Sequence, residues 1–390
     1  LPGRTSLELT ARAATFNVDT SLNYADDGLS NAGLISINGT QVSLSGATVA
    51  SSKAQSYSGL LTLGSNMTLT GTTVTTSATL AGGGFSLNVN GTVSAGTGSL
   101  TLGGSASGLA SLLVAGNTAL SGGVSSSGNQ VYRGTLTLNS DSTLTATNSN
   151  AVISVTGRVD SDSPASSRAL VINASGGSSS VVLEGAFGGF SILRTLAVMA
   201  NGIDFNGVTA VSSGSQTYSG VLTLGADSTL SGVGITVGGV LKSDGTNRSL
   251  VINDAGATVL SGVVGSSSTV GEKLSSLSTD AAGSTVINGG GVYTTQAQTY
   301  ADNLALGAGT SLSGSAVSTL GTVVGNGNAL SVTGNAVFGD GVADTLTGLS
   351  SLAVSGTTVL NTRALSTTGA QSYSGVLTLG ADSTLSGVGI

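Results

Sequence analysis

The sequence predicts an all-β protein: a parallel β-helix, or β-solenoid, whose short coils stack into an elongated rod. Three observations carry that expectation. One segment recurs five times along the chain. Between its copies, apolar and polar residues alternate in short runs, the two-residue period of a strand. The composition also suits a narrow interior: Gly is 62 of 390 residues, charged residues are 7%, aromatics are 3%, and Trp, Cys and His are absent.

The repeat is plainest at Gln371-Ser372-Tyr373-Ser374-Gly375-Val376-Leu377-Thr378-Leu379-Gly380-Ala381-Asp382-Ser383-Thr384-Leu385-Ser386-Gly387. Residues 216–235 and 371–390 differ at one position, Thr217 against Ser372. Looser copies start at Gln55, Gln130 and Gln298. A Gln-x-Tyr pair marks every copy: Gln55 with Tyr57, Gln130 with Tyr132, Gln216 with Tyr218, Gln298 with Tyr300 and Gln371 with Tyr373. The tyrosines lie 75, 86, 82 and 73 residues apart. The contents alternate in the same way. Leu87-Asn88-Val89-Asn90-Gly91 matches Leu330-Ser331-Val332-Thr333-Gly334 in the short units. Arg168-Ala169-Leu170-Val171-Ile172-Asn173 matches Arg248-Ser249-Leu250-Val251-Ile252-Asn253 in the long ones. The chain therefore divides into less regular coils (1–54), a short unit (55–129), two long units (130–215 and 216–297), a short unit (298–370) and the start of another (371–390). A segment made five times is a building unit; an active site is seldom made that way.

Within a unit the strands are short, as in Leu60-Leu61-Thr62-Leu63 and Phe85-Ser86-Leu87-Asn88-Val89, and Gly, Asn, Ser or Asp punctuates them. Alternation puts Val376 and Thr378 on one face and Leu377 and Leu379 on the other. Residues 185–199 come nearest to a helical pattern but are too Gly-rich at their start. Leu7-Glu8-Leu9-Thr10, Phe16-Asn17-Val18 and Leu34-Ile35-Ser36-Ile37 read as coils of the same kind. A sandwich or propeller needs aromatic anchors that this chain lacks. Coils of about 20–25 residues with three strands each fit better, three or four coils to a unit and about 16–19 in all, on the order of 80–90 Å long. In such a cylinder small aliphatic residues stack on their own kind and bulky aromatics are excluded. Gly supplies positive φ at corners, and Asn and Ser close turns. A solenoid exposes a strand edge at each end and needs caps. None is visible at Ile390, which falls inside a repeat, so the chain reads as a section of a longer one.

Composition also excludes. A hydrophobic content of 39% argues against disorder. No apolar run approaches the about 20 residues of a spanning helix, and the few Tyr and Phe cannot form the girdles of a membrane barrel. A net charge of −7 disfavours nucleic acid and anionic lipid as partners. The absence of Cys removes disulfides and thiolate metal sites and is compatible with export. Leu1-Pro2-Gly3-Arg4 is not followed by the apolar core of a signal peptide.

Chemistry has few candidates. Without His or Cys the usual bases and nucleophile pairs are missing, and the chain reads as no enzyme. The best acidic cluster is Asp160-Ser161-Asp162, with Arg158 and Arg168 near it; it reads as a solvated loop at a unit junction. Asp340 and Asp344, among flexible glycines, and the pair Asp26-Asp27 could offer oxygen ligands to calcium, yet read as turns. No catalytic residue, metal ligand or cofactor is assigned. A Tyr of each Gln-x-Tyr could stack on a sugar. Its recurrence favours instead a structural marker that packs over a coil corner and bonds a neighbouring turn.

The Gln-Ser-Tyr-Ser-Gly-Val-Leu-Thr-Leu-Gly-Ala-Asp-Ser-Thr-Leu-Ser-Gly segment, with Leu277-Ser278-Thr279-Asp280-Ala281-Ala282-Gly283-Ser284-Thr285-Val286-Ile287-Asn288-Gly289-Gly290, resembles the repeats of filamentous-haemagglutinin-like giant exoproteins of Gram-negative bacteria. The resemblance covers about residues 55–390. It implies a right-handed parallel β-helix, a secreted or cell-surface location, export through an outer-membrane two-partner-type transporter, and a role in adhesion, aggregation or biofilm formation. The family's secretion domain is not recognisable in this chain. The expected function is thus a stalk section of a giant surface adhesin, with host or cell-surface glycans as candidate partners. The first alternative is a self-assembling extracellular filament, sheath or matrix protein that associates laterally through Thr/Ser faces. A polysaccharide-processing β-helix enzyme is the second.

Overall fold

The computed structural model describes residues 33–91, 98–174 and 176–390, together with the backbone of three earlier strands, Ser6–Thr10, Ala13–Phe16 and Thr20–Leu22. Strand accounts for 56% and helix for 1%, and parallel strands stack as a β-solenoid of about 17 turns. The chain forms two compact units, Leu1–Gly202 and Ile203–Ile390. In each, a turn consists of three short strands joined by tight corners, and every strand lies parallel to its equivalents in the turns before and after.

One turn of the first unit shows how the sequence does this. Strand Gln55–Leu63 bends at Gly59, whose φ of +87° only glycine adopts freely, and so lies on two faces. Met67–Thr70 makes the third face, and Thr73–Thr76 opens the next turn. Gln55 sits opposite Ile35, 20 residues earlier, and opposite Val74, 19 residues later. Elsewhere the spacing falls to 18, between Leu112 and Gln130, and rises to 28, between Ile153 and Val181. Corners absorb the difference, so turn length varies more widely than the expected coil size while the strands stay in register.

Register sets the core. Val89, Val114, Tyr132, Val155 and Leu183 are successive partners on one inner ladder, and all are buried. Each fully buried Val or Leu contributes about 1.5–3 kcal/mol. The expectation that aromatics are excluded is wrong: Tyr57, Tyr132, Tyr218, Tyr300, Phe187, Phe205 and Phe338 are among the largest fully buried side chains. Room comes from small partners along the ladder. Tyr57 stacks on Thr76, and Tyr300 lies between Thr279 and Thr319. Phe205 and Tyr218 meet edge to face at 6.4 Å.

Repeat and turn do not coincide. From Gln55 to Gln130 the chain advances through eleven strand positions, three to a turn, which is 3⅔ turns. In the second unit the steps from Gln216 to Gln298 and from Gln298 to Gln371 are again eleven, counting the isolated bridge at Val264. In these three steps, each within one unit, the marker is displaced by one face from the last. Gln216 pairs with Ile235, Gln298 with Leu277 and Val317, and Gln371 with Leu352, on three different ladders. Nearly identical segments thus fold on different faces, so the local sequence, not the face, shapes the corner.

Glycine ladders line one corner type. Gly220, Gly239, Gly262 and Gly289 follow one another, and a Cβ on Gly262 would lie 2.2 Å from the carbonyl oxygen of Gly239. At Gly239, Gly262 and Gly289 the requirement is close approach of backbone to backbone, whereas Gly220 also takes a φ of +141°. Gly262→Ala is expected to cost about 1–3 kcal/mol. Gly309→Ala, where a Cβ meets nothing within 4 Å, should be neutral or slightly stabilising. Urea-denaturation midpoints of the two variants check this; equal midpoints would remove the close-approach explanation.

Candidate functional site

The five Gln-x-Tyr marks build one corner five times. Gln216 Nε2 donates to the carbonyl of Ala210 at 3.1 Å, to Ser231 O at 2.7 Å and to Ser212 Oγ at 3.2 Å. Its Oε1 accepts from the Tyr218 hydroxyl at 2.8 Å. Gln130 and Gln298 repeat the set. Gln55 keeps both carbonyls and its tyrosine. Gln371 keeps Thr367, Ser386 O and Tyr373. The glutamine, not the tyrosine, ties one turn to the next, because its acceptors six residues back and fifteen residues ahead lie on paired strands of successive turns. The tyrosine points inward and bonds its own glutamine, which corrects the expected bond to a neighbouring turn. A third member escaped the sequence reading. Ser51, Ser126, Ser212, Thr294 and Thr367 stand four residues before each Gln, and each hydroxyl donates at 2.7 Å to the carbonyl two residues on. Burial pushes the Tyr373 hydroxyl up to about 12 and the other four higher still. All five remain neutral donors.

Tyr300 is followed two places on by Asp302, where Gly59, Gly134, Gly220 and Gly375 follow the other marks. Asp302 is 4% exposed and accepts from Thr279 Oγ1 at 2.8 Å and Thr285 Oγ1 at 2.7 Å. Asp254, also buried, accepts from the amides of Gly234, Ile235 and Gly256 and from Thr258 Oγ1. Desolvation raises the Asp302 carboxyl above the usual range, against the two threonine bonds, and the charge of Asp280 adds to the rise.

The acidic cluster singled out from the sequence is pulled apart. Asp160 faces outward from its strand, opposite Thr137, yet is buried because the next turn folds over it. Its Oδ1 accepts from the amides of Phe190 and Ser191 at 3.0 and 3.1 Å. Oδ2 lies 3.0 Å from Arg158 Nε, an ion pair at contact distance without hydrogen-bond alignment. Asp162 instead forms a two-point pair with Arg168, at 2.9 and 3.1 Å. The Arg168 hydrogen bond holds its carboxyl below the usual range. The two carboxylates are committed to different partners.

The second long unit repeats the device with other residues. Asp244 pairs with Arg248 at 3.1 and 2.9 Å. Ser243 Oγ accepts from the Arg248 amide and donates to Lys273 O, as Ser161 does for Arg168 and Ile192 O. Lys242 Nζ meets Glu272 Oε1 at 2.7 Å on the 3₁₀ turn Val270–Glu272. In each long unit, then, residues beyond the ladder form an excursion that lies over a face and is clamped by a side chain from the turn beneath. Residues 188–192 and 265–273 carry these excursions, and they differ in sequence while their clamps correspond.

Asp344 caps its own turn, accepting from the amides of Asp340 and Gly341 at 3.2 Å. Among the described residues no three acidic, His or Cys side chains come together as a metal cluster. Asp26 and Asp27 lie outside the described residues. No helix among the described residues is long and apolar enough to cross a membrane. No family model, curated protein or solved structure matches the chain.

Two outcomes follow. Gln216→Ala removes the side-chain bonds to the carbonyls of Ala210 and Ser231 and leaves the buried Tyr218 hydroxyl without its acceptor, and is expected to cost about 3–5 kcal/mol, against about 1–2 kcal/mol for Tyr218→Phe. Denaturant titration measures both; a larger loss in Tyr218→Phe would reverse the assigned roles. For Asp302 the folded state holds the proton more tightly than the unfolded one. Its favourable contribution is therefore fully present below the unfolded carboxyl range and is lost as pH rises through the raised folded value. Asp302→Asn should melt higher than the parent protein at pH 7, and the gap should close on acidification to about pH 4.

Proposed function

We propose that the chain is a stalk section of a secreted or cell-surface bacterial adhesin, exported by a two-partner-type transporter and acting in attachment, aggregation or biofilm formation. The observation that carries this reading is the division of labour within the repeats. Most of each unit is a scaffold whose Gln-Tyr corners recur with nearly the same bonds, while the long units add excursions that differ in sequence. Repeat scaffolds present binding surface in this way, because insertions collect in loops on a rigid frame. Each turn adds about 4.8 Å along its unit, so the surface open to multivalent display grows with the number of turns. The test is an in-frame deletion of residues 216–370 in a strain that makes the parent protein. Removing these 155 residues joins residue 215 to Gln371, whose neighbourhood repeats that of Gln216. Cells carrying the shortened protein should still expose solenoid to an antibody and should attach to surfaces less well. Confinement of the protein to the cytoplasm, or unchanged attachment, would sink the proposal.

A second reading, a self-assembling filament, is favoured by one feature of the second unit. Thr209, Thr229, Val251, Ser278, Thr299, Ser318, Val337, Val359 and Thr378 form one outward ladder of nine positions without a charge. Such a face carries no like-charge barrier to a second copy. Electron micrographs of purified protein distinguish bundled filaments from single particles.

A further inference from the structure

The excursion of the first unit carries a surface the scaffold does not need. Phe190 is 75% exposed, and among the described residues it is the only exposed aromatic ring. Every other aromatic of the described chain is buried or half-buried, in a protein with 3% aromatics. The ring is not loose. Asp160, 4% exposed, accepts hydrogen bonds from the Phe190 and Ser191 amides at 3.0 and 3.1 Å, which fixes the backbone that bears it. The same carboxylate contacts Arg158 Nε at 3.0 Å, and the guanidinium carbon stands 5.2 Å from the Phe190 ring centroid. One buried carboxylate thus positions an apolar ring at the surface with a guanidinium over one of its faces. The Arg158 side chain is 53% exposed, so its outer edge reaches solvent beside the ring while Nε faces Asp160.

The face of this exposed ring that Arg158 does not cover suits the C–H-rich face of a pyranose, and the solvent-facing edge of the guanidinium suits the oxygens of a carboxylate. We infer that Phe190 and Arg158 form a binding site for a pyranose bearing a carboxylate, with Asp160 as the positioning residue. The inference rests on the adhesin reading and supplies it with a contact point. The corresponding excursion of the second unit presents Lys242 paired with Glu272 and no ring, so the site belongs to the first excursion alone.

Calorimetry of the whole chain with oligogalacturonate, and with a neutral dextran of equal length, tests the site. The acidic oligosaccharide should bind and dextran at least tenfold more weakly. Phe190→Ala and Arg158→Ala should each reduce acidic binding tenfold or more, while Phe190→Tyr retains it. Both side chains are exposed, so circular dichroism should report an unchanged fold in every variant. Absence of binding by the parent protein, equal binding of dextran, or full binding by Phe190→Ala or Arg158→Ala would overturn the site. The attachment assay on the deletion strain uses no sugar, so failure of the site and failure of the adhesin reading are separate results.

Discussion

In-register stacking of each turn on the next is the constraint on which the rest of the structure depends. Parallel pairing places a residue directly over its counterpart, about 4.8 Å away. Whatever fills the interior at one level must therefore be compatible with the level above and below. Val stacks on Val, Tyr finds Thr, and at the glycine corners nothing larger than hydrogen fits because the carbonyl of the previous turn occupies the space. The buried Gln is the side-chain expression of the same constraint. It bonds a carbonyl on the turn before and another on its own turn, adding side-chain hydrogen bonds between successive turns inside a low-dielectric core.

A repeat of 3⅔ turns has physical consequences. If a repeat were a whole number of turns, one face would carry every marker and could specialise. With eleven strands per repeat, each segment must fold on every face in turn. Only local determinants can then shape a corner: the Ser or Thr at the fourth position before Gln, the Gln, the Tyr and the Gly two residues on. The near-identity of residues 216–235 and 371–390 on different ladders is an instance of this independence. Departures stand out against it. Asp302 occupies a glycine position and brings a buried carboxylate with it. The long units add excursions, and these are clamped by Asp160 in one case and by Lys242 in the other.

The excursions are where surface chemistry differs from unit to unit. The ladders offer outward Thr, Ser and Val, and charge is concentrated in turns and loops, as in Asp162 with Arg168 and Asp244 with Arg248. Phe190 is held above the first excursion by a carboxylate that the solenoid itself does not require. The scaffold's uniformity is what makes one exposed ring informative.

Much of the fold was legible in the chain itself. Alternation, turn residues and the five copies of Gln-x-Tyr specify parallel coils, because those signals are local and a solenoid is an assembly of neighbouring contacts. The fixed spacing of Ser51, Ser126, Ser212, Thr294 and Thr367 before each Gln could also have been read there. Other features could not. Which residue sits over which depends on corner lengths that vary from turn to turn, so the one-face displacement of each repeat and the small partners that admit Tyr57 and Tyr300 to the core emerge only when the turns are stacked. The same holds for Asp160. Its sequence neighbours Arg158 and Asp162 suggested a shared cluster, but the turn that buries it comes some thirty residues later, and only that contact turns a surface-facing carboxylate into the clamp beneath Phe190.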